Sequence, residues 1–172
     1  MYQKIEFYVL VVRKSGCTLL LSLILSSCAI LHPKYEEPTA GPIAEIKFMN
    51  HGTGVSTVEF FKEQESCSGR EMSETIDRDN SKILKIKADS PISFSFGYNV
   101  TGGYPRFMYC RVYVTFNPES DKVYYAEIHP VARGCVLGVY ETQTDGSLKN
   151  IPNIKKRTAN TNVWTEYSSF CK

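Results

Sequence analysis

The sequence predicts an all-β protein, an antiparallel β-sandwich of about eight short strands behind an N-terminal leader and a flexible tether. Three observations carry that expectation. Apolar residues recur at every second position in runs such as IAEIKFM, KILKIKA and PISFSFGYN, the period of a half-buried strand. Clusters of Gly, Pro, Asn and Asp separate the runs, as turns require. The chain has 172 residues, 42% hydrophobic and 22% charged, a globular composition long enough for one domain with a real core. Alternating strands need a second layer over their apolar faces, which favours a sandwich.

The leader occupies residues 1–27. Arg13 and Lys14 form a cationic end, and Cys17 to Leu25 (CTLLLSLIL) form an apolar stretch, too short to span a bilayer as a helix. This is the layout of an export signal. Sixteen residues precede the apolar run, which leaves the true translation start open. Leu25-Ser26-Ser27-Cys28 closes the leader. It resembles the lipobox of bacterial lipoproteins, an aliphatic residue and two small residues before a cysteine. The small residues suit a peptidase that must fit the backbone closely, and the thiol is the nucleophile that accepts a diacylglyceryl group.

The resemblance implies cleavage before Cys28, a thioether-linked lipid on its sulfur and an acylated new N-terminus carrying a chain such as palmitate. Each buried methylene contributes about 0.8 kcal/mol, so one chain holds marginally and two or three hold firmly. In Gram-negative lipoproteins an aspartate after the lipidated cysteine retains the protein at the inner membrane. Here the position is Ala29, which implies the outer membrane, with the domain facing the periplasm or the cell surface. No later stretch approaches the ~18 consecutive apolar residues of a spanning helix.

Residues 28–42, with AILHPKYEEPTAGP after the cysteine, lack periodicity and carry three prolines; they read as an extended tether. The sandwich is expected over residues 43–172. Ala44, Ile46 and Phe48 alternate with charged residues in the first strand, and Asn50-His51-Gly52-Thr53-Gly54 reads as a turn into VSTVEFF. Residues 63–81 read as a long polar loop. Leu84, Ile86 and Ala88 share a face, as do Ile92, Phe94, Phe96 and Tyr98 beyond Asp89-Ser90-Pro91. FMYCRVYVTF, VYYAEI, GCVLGVYE and SLKNI follow, with Thr144-Asp145-Gly146 as a hairpin signal. The basic, polar tail from Ile151 is read as part of the same domain, pinned back by Cys171 and Trp164.

Cys17 leaves with the leader and Cys28 is acylated, so Cys67, Cys110, Cys135 and Cys171 remain. An even number outside the cytosol predicts two disulfides, with three possible connectivities. Cys110 with Cys135 is favoured because a short meander brings them together, which leaves Cys67 with Cys171. Neither C-x-x-C nor a histidine close to these cysteines supports a zinc site.

Catalytic signals are weak. His51-Gly-Thr-Gly has a superficial likeness to a glycine-rich oxyanion loop, but no G-x-S-x-G follows, and a hairpin turn accounts for it. Glu127 and His129 alternate with Ile128 and share a face, yet two ligands are fewer than a stable metal site needs. His32 lies in the tether. Three of the twenty cations and one of the eighteen acids precede Cys28, so the body is neutral and nucleic acid is not an expected partner. Aromatic residues crowd around NVTGGYPRF, and Tyr98, Tyr104, Phe107 and Tyr109 form a candidate binding surface. The mature chain, strand-rich with cysteines and the FNPESDKVYYAEI hairpin, is similar to small β-rich envelope lipoproteins to which no activity attaches. The expectation is a non-enzymatic protein without cofactor or metal. It would be held to the membrane by lipid and bind an envelope protein or glycan, or serve as an accessory subunit. The alternatives are an envelope hydrolase of peptidoglycan or lipid, using His51 or His129 with Glu127, and a small-ligand carrier.

Overall fold

The computed structural model describes residues 33–52, 54–100, 108–132, 134–160, 165 and 167–172, with only the backbone of residues 99, 100, 108 and 109. Among them the chain forms ten strands and no helix: β1 (Ile43–Asn50), β2 (Val55–Glu63), β3 (Ser68–Met72), β4 (Ser81–Lys87), β5 (Ile92–Val100), β6 (Met108–Phe116), β7 (Val123–Val131), β8 (Gly134–Thr142), β9 (Leu148–Asn150) and β10 (Lys155–Arg157). They make two five-stranded sheets, ordered β4-β1-β7-β8-β9 and β10-β6-β5-β2-β3. All pairings are antiparallel except that of β1 with β7, which is parallel. The predicted sandwich is the observed fold.

The core is built by the predicted alternation. Ala44, Ile46 and Phe48 of β1, Leu84 and Ile86 of β4, and Tyr124, Ala126 and Ile128 of β7 face inward from the first sheet. Val58, Phe60, Phe94, Phe96 and Val114 meet them from the second. Phe48 is the hub: its ring stands edge-on to Phe94 and Phe96, each at 5.3 Å, and to Phe60 at 6.2 Å, the arrangement that aromatic quadrupoles favour.

The second sheet is also covered on its outer side. Phe61, Tyr113, Phe170 and the Cys67–Cys171 disulfide form a satellite cluster there, and the Arg70 guanidinium lies 4.6 Å from the Phe170 ring centre. This explains the run of buried residues Val58-Glu59-Phe60-Phe61 in β2, where alternation fails. Glu59, 2% exposed, is compensated there by salt bridges to Arg111 and Arg70 and a hydrogen bond from Ser95, as a buried carboxylate requires.

Three sequence expectations are corrected. The polar segment 63–81 contains β3, an edge strand that the apolar pattern does not signal because its residues are only half-buried. The basic tail supplies β10, paired with Tyr113–Thr115 of β6. Residues 33–42 are not a free tether. Tyr35 stacks on Phe60 at 3.9 Å, donates its hydroxyl to the Lys85 carbonyl, and joins the sheet edge through its amide to Met72. The part of the expected tether before Pro33 lies outside the described residues, as do Cys28 and Trp164.

Replacing Phe48 with alanine removes the ring around which the core packs, and denaturant unfolding is expected to show a loss of about 3–5 kcal/mol. A second expectation concerns alkaline pH. Burial, followed by the charges of Glu37 and Glu71, raises the Tyr35 phenol well above its ordinary value, and burial does the same for Tyr124 and Tyr98. A folded pKa above the unfolded value of about 10 stabilises the fold fully below that pH and progressively less as pH rises past it. Tyr35→Phe loses a hydrogen bond worth about 1 kcal/mol at neutral pH. The difference between its urea midpoints at pH 7 and pH 10.5 is expected to be smaller than in the wild type.

Candidate functional site

The parallel pairing of β1 with β7 sets Met49 beside Glu127 and Asn50 beside Ile128. Continued by one residue, this register sets His51 beside His129, and the His51 amide donates to the Ile128 carbonyl at 3.3 Å. Ile128 points into the core, so Glu127 and His129 point to the outer face of the first sheet. The two imidazoles stack with ring centres 4.5 Å apart and planes 7° from parallel, close to the ~4.8 Å separation of neighbouring strands. Oε2 of Glu127 sits 3.4 Å from His51 Nε2 and 3.2 Å from His129 Nε2. One donor atom from each side chain lies within 4.8 Å of the other two.

The turn that carries His51 is held from inside. Asn50 is fully buried, and its amide donates to the carbonyls of Gly54 at 2.8 Å and Ile76 at 3.0 Å. Its side-chain oxygen accepts from the Gly52 amide at 2.8 Å. A Cβ at position 52 would stand 2.9 Å from that oxygen and 3.2 Å from Cγ of Tyr98, so the space is closed to a side chain. On the far side of Glu127 its cross-strand neighbour is Gly138, above which the Tyr140 ring lies. Tyr125 lies two residues before Glu127 on the same face, and its phenol is raised first by burial and then by the Glu127 charge.

A groove of about 470 Å³ adjoins the cluster, lined by Glu127 and His129 together with Val136, Tyr140, Asn150 and Lys156 among others. It runs along β8 where β9 covers only Tyr140 to Thr142. Near its end the Cys110–Cys135 disulfide ties β6 of one sheet to β8 of the other. The outer face of the first sheet also exposes Ile83, Val123, Val136 and Leu148.

The cysteines pair as the sequence favours, Cys67 with Cys171 and Cys110 with Cys135. The candidate aromatic surface does not assemble in that form. Tyr98 is 1% exposed, on the inward face it shares with Phe94 and Phe96, and its hydroxyl donates to the Gly134 carbonyl. Period two itself requires this, since Tyr98 lies two residues after Phe96. Tyr104 and Phe107 lie outside the described residues, and Tyr109 is placed by its backbone alone, opposite Asn99. The half-buried tyrosines near the cluster are instead Tyr125 and Tyr140.

The expectation that Glu127 and His129 stand as a pair is corrected, because His51 brings a third side chain with a ligand-type atom within 4.8 Å of both. Each residue was visible in the sequence, but the pairing that unites them was not. Chemically the trio presents two imidazoles and one carboxylate to solvent from adjacent strand ends. No family model matches the chain, and no curated protein matches it.

Asn50→Leu keeps the side-chain volume but orphans the buried Gly52 amide, at about 1–3 kcal/mol, and removes the bonds to the Gly54 carbonyl and to the Ile76 carbonyl, which keeps the Ser56 amide. The expected result is a stability loss of about 2 kcal/mol and disappearance of the nuclear Overhauser contact between the His51 and His129 rings. An unchanged midpoint with that contact intact would contradict the role given to Asn50.

Proposed function

We propose that the chain is an exported lipoprotein, anchored in the outer membrane through lipid on Cys28, whose sandwich binds another envelope component without catalysing a reaction. The observation that carries this reading is the use of cysteine. All four cysteines beyond Cys28 are consumed by two disulfides, the pattern of an oxidising compartment. Neither bridge requires Cys28, whose thiol stays available for the lipid that its Leu-Ser-Ser-Cys context calls for. The two sheets divide the remaining tasks. One outer face is buried beneath Phe170 and Cys171, whereas the other offers exposed apolar residues beside Tyr125 and Tyr140, a composition suited to recognition. A second reading, an envelope hydrolase, draws on the convergence of His51, Glu127 and His129. Release of soluble fragments from peptidoglycan by the purified chain would decide in its favour.

The anchor is tested by expression in a Gram-negative host fed labelled palmitate. The wild-type chain is expected to take up label and to partition with outer membranes after losing residues 1–27. Cys28→Ser is expected to remain unlabelled and uncleaved at that site. Label retained by the serine variant, or a wild-type chain without label, would overturn the proposal.

A further inference from the structure

We infer that His51, Glu127 and His129 form a binding site for a divalent transition-metal ion of the zinc class. Two of the three donor-to-donor separations already match the ion's requirements. Zinc bonds of about 2.0–2.1 Å to nitrogen and oxygen, arranged tetrahedrally, place neighbouring donor atoms about 3.3 Å apart. The two imidazole-to-carboxylate separations are 3.4 and 3.2 Å. The remaining histidine-to-histidine edge lies within 4.8 Å, and because the rings stack 7° from parallel, binding requires one imidazole to rotate about its side-chain bonds so that both nitrogens face one ion.

The donor set narrows the ligand. Two imidazoles and one carboxylate suit zinc and its neighbours, whereas calcium and magnesium take oxygen-rich shells. Three protein ligands leave one tetrahedral position for water or a group on a partner, the composition of an open zinc site. With every cysteine beyond Cys28 locked in a disulfide, histidine and carboxylate are the strong transition-metal ligands left to this domain.

Access and orientation agree with the assignment. The three side chains are 33%, 22% and 46% exposed in chain order, so the ion enters from solvent without opening the core. Asn50 fixes the turn behind His51. The cluster therefore rests on strand ends and a pinned turn, the rigid support that a metal site needs.

The experiment uses the full chain with both disulfides formed and with Cys17 and Cys28 replaced by serine, so that no thiol competes. Zinc chloride is titrated calorimetrically, with calcium chloride as the contrasting ion. The expected result is one zinc per chain with micromolar or tighter affinity and no response to calcium. His51→Ala, His129→Ala and Glu127→Gln should each weaken binding at least tenfold, and Lys87→Ala, at the exposed far end of β4, should leave it unchanged. Imidazole proton resonances of the wild-type domain give a readout that does not depend on variant folding. Zinc should shift His51 and His129, with His32 as the internal reference. A stoichiometry below one, affinity weaker than 100 μM, unweakened binding by the three variants, or a shift confined to His32 would each overturn the assignment.

Discussion

The parallel pairing of β1 with β7 is the constraint on which the remaining architecture depends. It joins the first strand of the domain to one from its second half, setting Ile46 beside Tyr124 and Phe48 beside Ala126. β4 adds to one side of β1, and β8 continues from β7. A slip of one residue would turn Ile46 and Phe48 out to water and bring Glu45 and Lys47 into the core, so hydrophobic burial selects this register sharply. The same register carries the chain one residue further to place His51 beside His129. The geometry of the surface cluster is therefore a by-product of core packing along the same two strands.

The two outer faces of the sandwich have different fates, and the difference is electrostatic as well as apolar. On one sheet the C-terminal tail returns through Cys171 to Cys67 and buries Glu59 with Arg111 and Arg70 beneath it. Buried ions cost several kcal/mol each unless paired and hydrogen-bonded. The hydroxyls of Ser95 and Thr57 supply those further bonds, Ser95 to Glu59 and to Arg111, and Thr57 to Arg111. This face is specified closely and has little freedom to exchange partners. The other sheet keeps Tyr125, Tyr140 and the His51–Glu127–His129 cluster at the surface, next to the groove along β8. The proposed recognition surface and the proposed metal site therefore share one face of the sandwich.

The N-terminal approach is shorter than its composition suggests. Proline-rich, aperiodic sequence reads as a spacer, yet Tyr35 occupies a slot against Phe60 and Glu37 accepts from the Lys85 amide. Extended segments without period are docked by one or two anchors, and a single aromatic ring suffices here because it covers the edge of the core. In the proposed lipoprotein only residues 28–32 would then separate the acylated sulfur from the folded body, holding the sandwich close to the membrane surface.

Local chemistry in the sequence determined the strands and their faces: alternation in IAEIKFM and PISFSFGYN, and the Asp145-Gly146 turn, whose glycine has a φ of 82°. These signals lie within a few residues of one another, because a pleated strand has period two and a tight turn demands positive φ. β3 and β10 escaped detection since their residues are at most half-buried and carry no apolar stripe. Tyr98 was legible as core from its spacing to Phe96, although the crowding of aromatic residues around NVTGGYPRF made it a candidate surface residue. Tertiary structure alone decided that β1 lies parallel to β7 and that a turn histidine joins Glu127 and His129. Strand partners are chosen by how distant apolar faces fill one shared core, and a period of two, identical in every strand, contains no label for its partner.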